Sequence, residues 1–247
     1  MTWVGRSEGP LRCDPLEKPE DFAQISRNAD IILSVGGAAP GGTLKKAADL
    51  ADHARLAVAL SDIAGERPLL LASSAAVYGN LGAAGVPLTE DASLPDDLAP
   101  YGAAKRDMET AAPSATSLRI GNIAGLDAIL GGWKEGFELD VFEDGTTPRR
   151  SYIGPATLAL VLAALCQKAH SLPFALNIAE PGSVAMADLL TAAGLPFARR
   201  TAPQSAIREV NLDVTRLQDL IPGLYRPVSA DLLVAEAKWL ESAQIPT

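Results

Sequence analysis

The sequence predicts an α/β fold in which a parallel sheet is doubly wound, with helices on both of its faces. Three observations favour this class. Short apolar runs at residues 29–35, 69–72 and 118–123 have the length of buried strands. Longer Ala- and Leu-rich stretches with helical spacing, such as residues 43–64, lie between these runs. Because parallel strands need long crossover connections, the alternation indicates parallel strands joined by helices.

Residues 1–126 are predicted to hold the main sheet. In order, the expected elements are a strand over residues 1–7, a short helix over 19–25, a strand over 29–37, a helix over 43–64, a strand over 69–72, a helix over 101–112 and a strand over 118–123. Pro113 ends the last helix, because proline cannot continue one. Residues 80–100 are rich in Gly, Pro and acidic residues, which indicates a loop that lies over a site.

Residues 127–247 follow a different pattern, with shorter pieces interrupted by Gly and Pro. Helices are expected over residues 155–170, 186–193 and 230–241. We predict that this region forms mainly a small second lobe, with some segments returning to the core.

The residues that point to chemistry stand at the end of one strand and at the start of the next helix. Ser73 and Ser74 follow the apolar run over residues 69–72, and Tyr101 and Lys105 are four residues apart. At that spacing two helical side chains share one face, so we expect the Lys105 ammonium to lower the pKa of the Tyr101 phenol. A serine hydroxyl would hydrogen-bond the same reacting oxygen. This is proton-transfer machinery for an alcohol and ketone pair.

These residues resemble the extended short-chain dehydrogenase/reductase family, also described as NAD-dependent epimerases/dehydratases. Four further segments are similar to the family's landmarks in the right order. They are residues 87–91 (PLTED), 117–125 (SLRIGNIAG), 144–153 (DGTTPRRSYI) and 176–179 (LNIA). The spacing of Tyr101 and Lys105 occurs on many ordinary helices, and the ordered landmarks are what make the resemblance specific.

The resemblance implies a Rossmann-like sheet, with residues 1–126 as the cofactor-binding part and residues 127–247 as mainly a substrate lobe. It implies an NAD- or NADP-dependent oxidoreductase or epimerase that acts on a small carbonyl, alcohol or sugar-like substrate. Tyr101 would be the general acid/base, and Lys105 would hold the phenolate and the nicotinamide ribose. Ser74 would orient the substrate oxygen, although serines at a strand end also commonly bond backbone groups.

The same resemblance assigns the remaining candidate residues, each with an ordinary structural alternative. The cofactor would contact Arg6, Asp14, Gly36, Gly37, Ser73 and Asn122 beside Tyr101 and Lys105, and the substrate would contact Tyr78 and Arg150 beside Ser74. Arg6 is either solvated or pairs with the 2′-phosphate of NADP, which favours NADP slightly over NAD. Gly36 and Gly37 either form a flexible loop or leave room for the dinucleotide.

One departure from the family narrows the expected reaction. In the sugar-nucleotide 4,6-dehydratases of the family, an Asp-Glu pair follows the hydroxyl residue, whereas here Ala75 and Ala76 follow Ser74. Dehydration by that mechanism is therefore not expected. The region after residue 150 is also poor in the Arg and Lys clusters that suit a diphosphate, which favours a small carbonyl, an alcohol or a simple sugar over a nucleotide sugar.

A second departure concerns the first residues. The family opens with a strand and a Gly-rich turn that holds the cofactor pyrophosphate, and residues 1–7 resemble the second strand instead. In a rival register Trp3, Val4 and Gly5 form the first strand, and Gly5 and Gly9 a degenerate turn, but Pro10 leaves no evident helix behind it. The fold is thus expected to be N-terminally truncated, and a strand in frame upstream in the coding DNA would overturn this.

Loss of the first strand would leave a gap in the middle of the sheet. We expect residues 2–5 to sit in or beside that gap, or another chain to fill it, and we expect a homodimer. The alternative function is a non-catalytic or cofactor-free remnant that binds a metabolite or a partner subunit.

Composition limits the function classes. The chain has 21 basic and 30 acidic residues, for a net charge of −9, which argues against nucleic-acid and anionic-membrane surfaces. No apolar run reaches membrane-spanning length and no signal peptide is evident, and two distant cysteines do not make a disulfide framework, so a cytoplasmic setting is expected. His53 and His170 stand alone on predicted helices, so neither is expected to act as a catalytic base or metal ligand, and no metal site is predicted.

Overall fold

The computed structural model describes residues 1–6, 10–36, 47–82, 85–223 and 226–242. Its strands are β1 (Val4–Gly5), β2 (Leu11–Arg12), β3 (Ile32–Ser34), β4 (Leu69–Ser74), β5 (Thr116–Ile120), β6 (Asn122–Ile123), β7 (Glu138–Val141), β8 (Arg149–Arg150), β9 (Tyr152–Ile153), β10 (Ala175–Ile178), β11 (Val184–Ala185), β12 (Ala198–Thr201) and β13 (Glu209–Val210).

The helices are α1 (Pro19–Ser26), α2 (Ala47–Ala64), α3 (Pro100–Ala111), α4 (Pro155–Gln167), α5 (Met186–Ala193), α6 (Thr215–Leu220) and α7 (Ala230–Ser242), with 3-10 turns at Ala75–Tyr78 and Ala169–Ser171. None of the helices in the described ranges has the length and apolar character needed to cross a bilayer.

A four-stranded parallel sheet with the order β10-β5-β4-β3 lies at the centre of the fold. Successive residues of β4 face opposite layers of helices. Leu69 and Leu71 pack with residues of α2 and α3, whereas Leu70 packs with residues of α4 and α6. Because side chains alternate across a strand, helices cover both faces of the sheet. The predicted α/β fold with a doubly wound parallel sheet is confirmed.

The N-terminal strands form a separate unit. Val4 pairs in parallel with Leu11, and Gly5 pairs with Arg12. Trp3 is 58% exposed. Within the part of the chain that the structure describes, β3 pairs on one side only, with β4. Residues 2–5 therefore do not pair with β3, and a second chain at that edge, like the homodimer, stays a prediction.

Short strands and helices after β5 build the rest of the described chain. Strand β6 pairs with β9 and β7 with β12, while β8 lies between β11 and β13. Helices α5 and α7 pack against each other. Strand β10 lies in the main sheet beside β5, although it comes late in the sequence. The predicted boundary between residues 126 and 127 stays a prediction.

Candidate active site

The end of β4 turns directly into the 3-10 turn, and Ser74 stands at the junction. Its Oγ accepts a hydrogen bond from the backbone N–H of Ala76 at 3.2 Å. The first turn of α3 lies against this turn without any intervening side chain, because a Cβ added at Gly102 would be 2.4 Å from the Ala76 carbonyl oxygen. Gly102 thus permits the contact that brings the neighbouring Tyr101 beside Ser74. The sequence interpretation missed this glycine.

Tyr101 is half-buried at the second residue of α3. Burial raises the pKa of its phenol, and a side-chain hydrogen bond with Ser74 acts in the opposite direction. The ring of His53, on α2, meets the Tyr101 ring edge to face, with 6.1 Å between centroids and 78° between planes. The phenol is therefore protonated at neutral pH and hydrogen-bonded to the predicted hydroxyl partner.

Lys105 lies one helical turn after Tyr101 and is only 4% exposed. Its Nζ donates a hydrogen bond to the Ala72 carbonyl oxygen at 2.7 Å and lies 5.8 Å from the centroid of the Tyr101 ring. Burial lowers the pKa of Lys105 to about 8, and the carboxylate of Glu109 acts against that shift. The expected lowering of the Tyr101 pKa by Lys105 is wrong for the chain alone, because burial raises that pKa and Lys105 is not among the groups that shift it.

A buried ion-pair network lies on α3 and β5, one turn beyond Lys105. Arg119 and Glu109 are 3% and 2% exposed, and the Arg119 guanidinium reaches the Glu109 carboxylate at 2.8 Å. Burial acts against the charge on Arg119, but the hydrogen bonds and charge of Glu109 outweigh it and raise its pKa. The sequence signal for this network was a carboxylate four residues after Lys105, which the interpretation did not use.

The network also binds two of the predicted site residues. The Ser73 hydroxyl donates to Glu109 at 2.5 Å. Tyr78 is fully buried; its hydroxyl donates to Asn177 at 2.8 Å and accepts from Arg119 at 3.1 Å. Both side chains are thus occupied inside the protein, and their predicted contacts with cofactor and substrate gain no support from this geometry.

The segment over residues 87–91, which resembles a family landmark, is tied to the same interior. The backbone carbonyl of Glu90 accepts a hydrogen bond from Arg119 at 3.1 Å, and its side chain accepts one from the backbone N–H of Asn177 at 2.9 Å. This part of the predicted loop therefore connects α3, β5 and β10.

Two of the predicted cofactor residues, Arg6 and Asp14, form an ion pair near the N-terminus. Arg6, whose side chain is 72% exposed, is 3.8 Å from the Asp14 carboxylate. Asp14 also accepts a hydrogen bond from the backbone N–H of Leu16 at 2.9 Å. Gly36 follows β3, and a Cβ there would make an ordinary contact with Leu56 at 3.6 Å. Gly37 lies outside the described residues.

Asn122 and Arg150 lie around a buried tyrosine. Asn122 makes a side-chain hydrogen bond with Tyr152, whose hydroxyl donates to Asp127 at 2.8 Å. The Arg150 guanidinium donates to the Arg149 carbonyl oxygen at 2.7 Å, and burial lowers its pKa. Ser74 pairs in register with Ile120 of the neighbouring strand, and Asn122 follows Ile120 by two residues. Ser74 ends β4, and Asn122 begins β6 two residues after β5 ends, so both lie near the edge where β4 and β5 end.

No protein-family model matches the chain, and no curated protein matches it. Solved structures do match. One is a UDP-glucose 4-epimerase from Stenotrophomonas maltophila with bound NAD and formylated UDP-arabinopyranose, at 19% identity and a TM-score of 0.75, over 96% of this chain and 84% of that one. A UDP-glucose 4-epimerase from Bifidobacterium longum in complex with NAD and UDP matches at 18% identity and a TM-score of 0.71, again over 96% and 84%.

A third match is TunA, an NAD-dependent NDP-hexosamine 5,6-dehydratase of tunicamycin biosynthesis, at 19% identity and a TM-score of 0.74, over 95% of this chain and 84% of that one. The chain has the fold of these enzymes. The predicted Rossmann-like architecture is therefore confirmed, whereas identities this low do not extend to activity. The two epimerases were crystallised with NAD, so the predicted slight preference for NADP gains no support.

Proposed function

We propose that the protein is an NAD- or NADP-dependent oxidoreductase or epimerase acting at an alcohol or carbonyl carbon of a small or sugar-like substrate. The observation that carries this proposal is the meeting of Ser74, Tyr101 and Lys105 where β4 ends and α3 begins. The epimerases and the dehydratase that share the fold, two of which were crystallised with NAD, support it.

The described residues suit the nicotinamide end of such a cofactor. Tyr101 and Lys105 would hold its ribose, and Gly36 at the end of β3 leaves space beside the sheet edge. When bound, the dinucleotide would accept or supply a hydride at the substrate carbon. Among the described residues before β3, helix α1 begins after Lys18, so no Gly-rich turn precedes it to hold the cofactor phosphates.

Tyr101 is suited to give a proton to the substrate oxygen. Burial keeps the phenol protonated at neutral pH, and the hydrogen bond with Ser74 gives the hydroxyl a defined direction. The Ser74 hydroxyl lies close enough to orient the same substrate oxygen. Lys105, with a pKa of about 8, carries its charge at neutral pH and stabilises the phenolate that proton donation leaves.

The test combines cofactor binding with one conservative replacement. Purified protein should change the fluorescence of NADH or NADPH at micromolar concentrations. Tyr101→Phe keeps the ring but removes the proton donor, so turnover should fall at least ~100-fold with little change in cofactor affinity. Substrate screens should include simple sugars, small ketones and one UDP-sugar.

Two results would contradict the proposal. A Tyr101→Phe protein with near-normal turnover would exclude the proton-transfer role. No binding of either dinucleotide at millimolar concentration would instead favour the alternative, a cofactor-free protein that binds a metabolite or a partner subunit.

A further inference from the structure

His53 lies on α2 and is 2% exposed. Its ring packs edge to face on the Tyr101 ring, with 6.1 Å between centroids. This perpendicular arrangement, at a separation of roughly 4.5–7 Å, is the favourable geometry for two aromatic rings because the edge of one ring is electropositive and the face of the other electronegative. The contact joins a residue of one helix to the candidate acid/base on the next.

The phenol of Tyr101 has one contact at its hydroxyl and another at its ring, and both affect the direction in which the hydroxyl points. Tyr101 occupies the first turn of α3, and Ala99, at the start of that helix, makes no side-chain capping bond. The phenol hydroxyl makes a side-chain hydrogen bond with Ser74. The hydroxyl contact holds one end of the phenol, and a contact on the ring limits the tilt of the ring plane.

The surroundings of His53 connect it with both sides of the site. It lies close to Ser34, Gly36, Ala72 and Met108, where α2 and α3 meet the carboxyl ends of β3 and β4. Ala72 is also the residue whose carbonyl accepts the Lys105 ammonium. His53 therefore stands between the glycine that follows β3 and the candidate acid/base.

We infer that His53 is a positioning residue, which holds the Tyr101 ring at the angle from which its hydroxyl meets Ser74 and the substrate oxygen. This inference rests on the proposed function. His53 acts through Tyr101, since its ring is buried against the phenol ring. A displacement of a catalytic group by about 1 Å can lower turnover roughly 100-fold, so a ring contact of this kind is enough to control rate.

The test compares two replacements at position 53. His53→Leu has a similar volume and removes the aromatic edge, and we expect at least a ~10-fold loss in kcat with an unchanged KM for the dinucleotide. His53→Phe restores an aromatic edge and should return kcat to within about 3-fold of the wild type. His170, the other histidine of the chain, is exposed on the second 3-10 turn, and His170→Leu is the matched control with normal kcat.

A second measurement does not depend on activity. The chain has four tyrosines, and NMR of ring-labelled tyrosine identifies the Tyr101 signal by its loss in Tyr101→Phe. His53→Leu should move that signal and leave those of Tyr78 and Tyr152 in place. Melting temperatures confirm that the variants are folded.

The outcomes separate this inference from the proposed function. Normal kcat in His53→Leu, an unmoved Tyr101 signal, or a His53→Phe protein as slow as His53→Leu overturns the positioning role alone. A wild-type protein that neither binds a dinucleotide nor turns over any substrate overturns the proposed function. The contact between His53 and Tyr101 would then have no catalytic role.

Discussion

Two neighbouring serines of β4 lead into two different environments. Ser73 donates to Glu109 in the buried network with Arg119, whereas Ser74, the next residue, meets Tyr101 where the strand ends. Successive strand residues point to opposite faces, so one hydroxyl is enclosed and the other borders the candidate site. In the network each donor has a protein partner, which makes it a structural element. In the candidate site the phenol is half-buried and so remains partly accessible from outside the protein.

The largest expected effect is a loss of stability when the buried network that contains Ser73 is broken. Glu109→Gln removes the charge that balances Arg119, and leaving one member of a buried pair uncompensated should cost about 3–5 kcal/mol in the free energy of unfolding. Urea unfolding measures this loss. The control is Arg200→Gln, which breaks a 2.7 Å pair with Asp140 at an exposed position and should cost less than about 1 kcal/mol. Equal losses in the two variants would show that the buried pair has no special role.

The next effect is a loss of turnover when the environment of Ser74, the candidate site, is changed. Gly102→Ala places a Cβ against the Ala76 carbonyl oxygen, so α3 must move away from the 3-10 turn and Tyr101 from Ser74. Turnover should fall about 10- to 100-fold, as measured by steady-state kinetics. Ala103→Gly, in the same turn, adds no volume and should keep the contact. Normal turnover in Gly102→Ala would mean that the close approach does not place Tyr101.

The smallest effect concerns the pH dependence of stability. Burial lowers the pKa of Lys105 from 10.5 to about 8, so between these values the unfolded chain holds a proton that the folded chain has lost. The unfolding free energy should therefore carry a Lys105 contribution that rises with pH over that interval and is constant below it. Urea unfolding at several pH values measures this, and Lys105→Met should lack the contribution. A wild-type protein and Lys105→Met with parallel profiles would contradict the assigned burial.

Some elements could be predicted to the residue because their signals are local. Helix α5 spans Met186–Ala193 as expected, and Gly194 after it adopts a left-handed φ of 72°, the usual conformation at a helix end. The expected helix over 155–170 instead ends at Gln167 and is followed by a 3-10 turn. The expected helix over 43–64 is described only from Ala47 onward.

The strand expected over residues 118–123 shows that a hydrophobic pattern does not reveal which strands pair with each other. It divides at Gly121 into β5, which pairs with β4 and β10, and β6, which pairs with β9. The residues on both sides of Gly121 are equally apolar, and only the choice of partner strand distinguishes them. Partners that are distant in sequence leave no local trace.

The sequence by itself determined the α/β class, the order of its main strands and helices, and the residue types of the candidate proton-transfer site, because alternation and spacing are local properties of the chain. Tertiary structure decided which of those residues are accessible. It enclosed Ser73 and Tyr78 with Arg119, raised the Tyr101 pKa through burial, and set His53 against the phenol ring. Burial and partner choice depend on contacts between segments far apart in the chain, and these exist only once the helices have packed on the sheet.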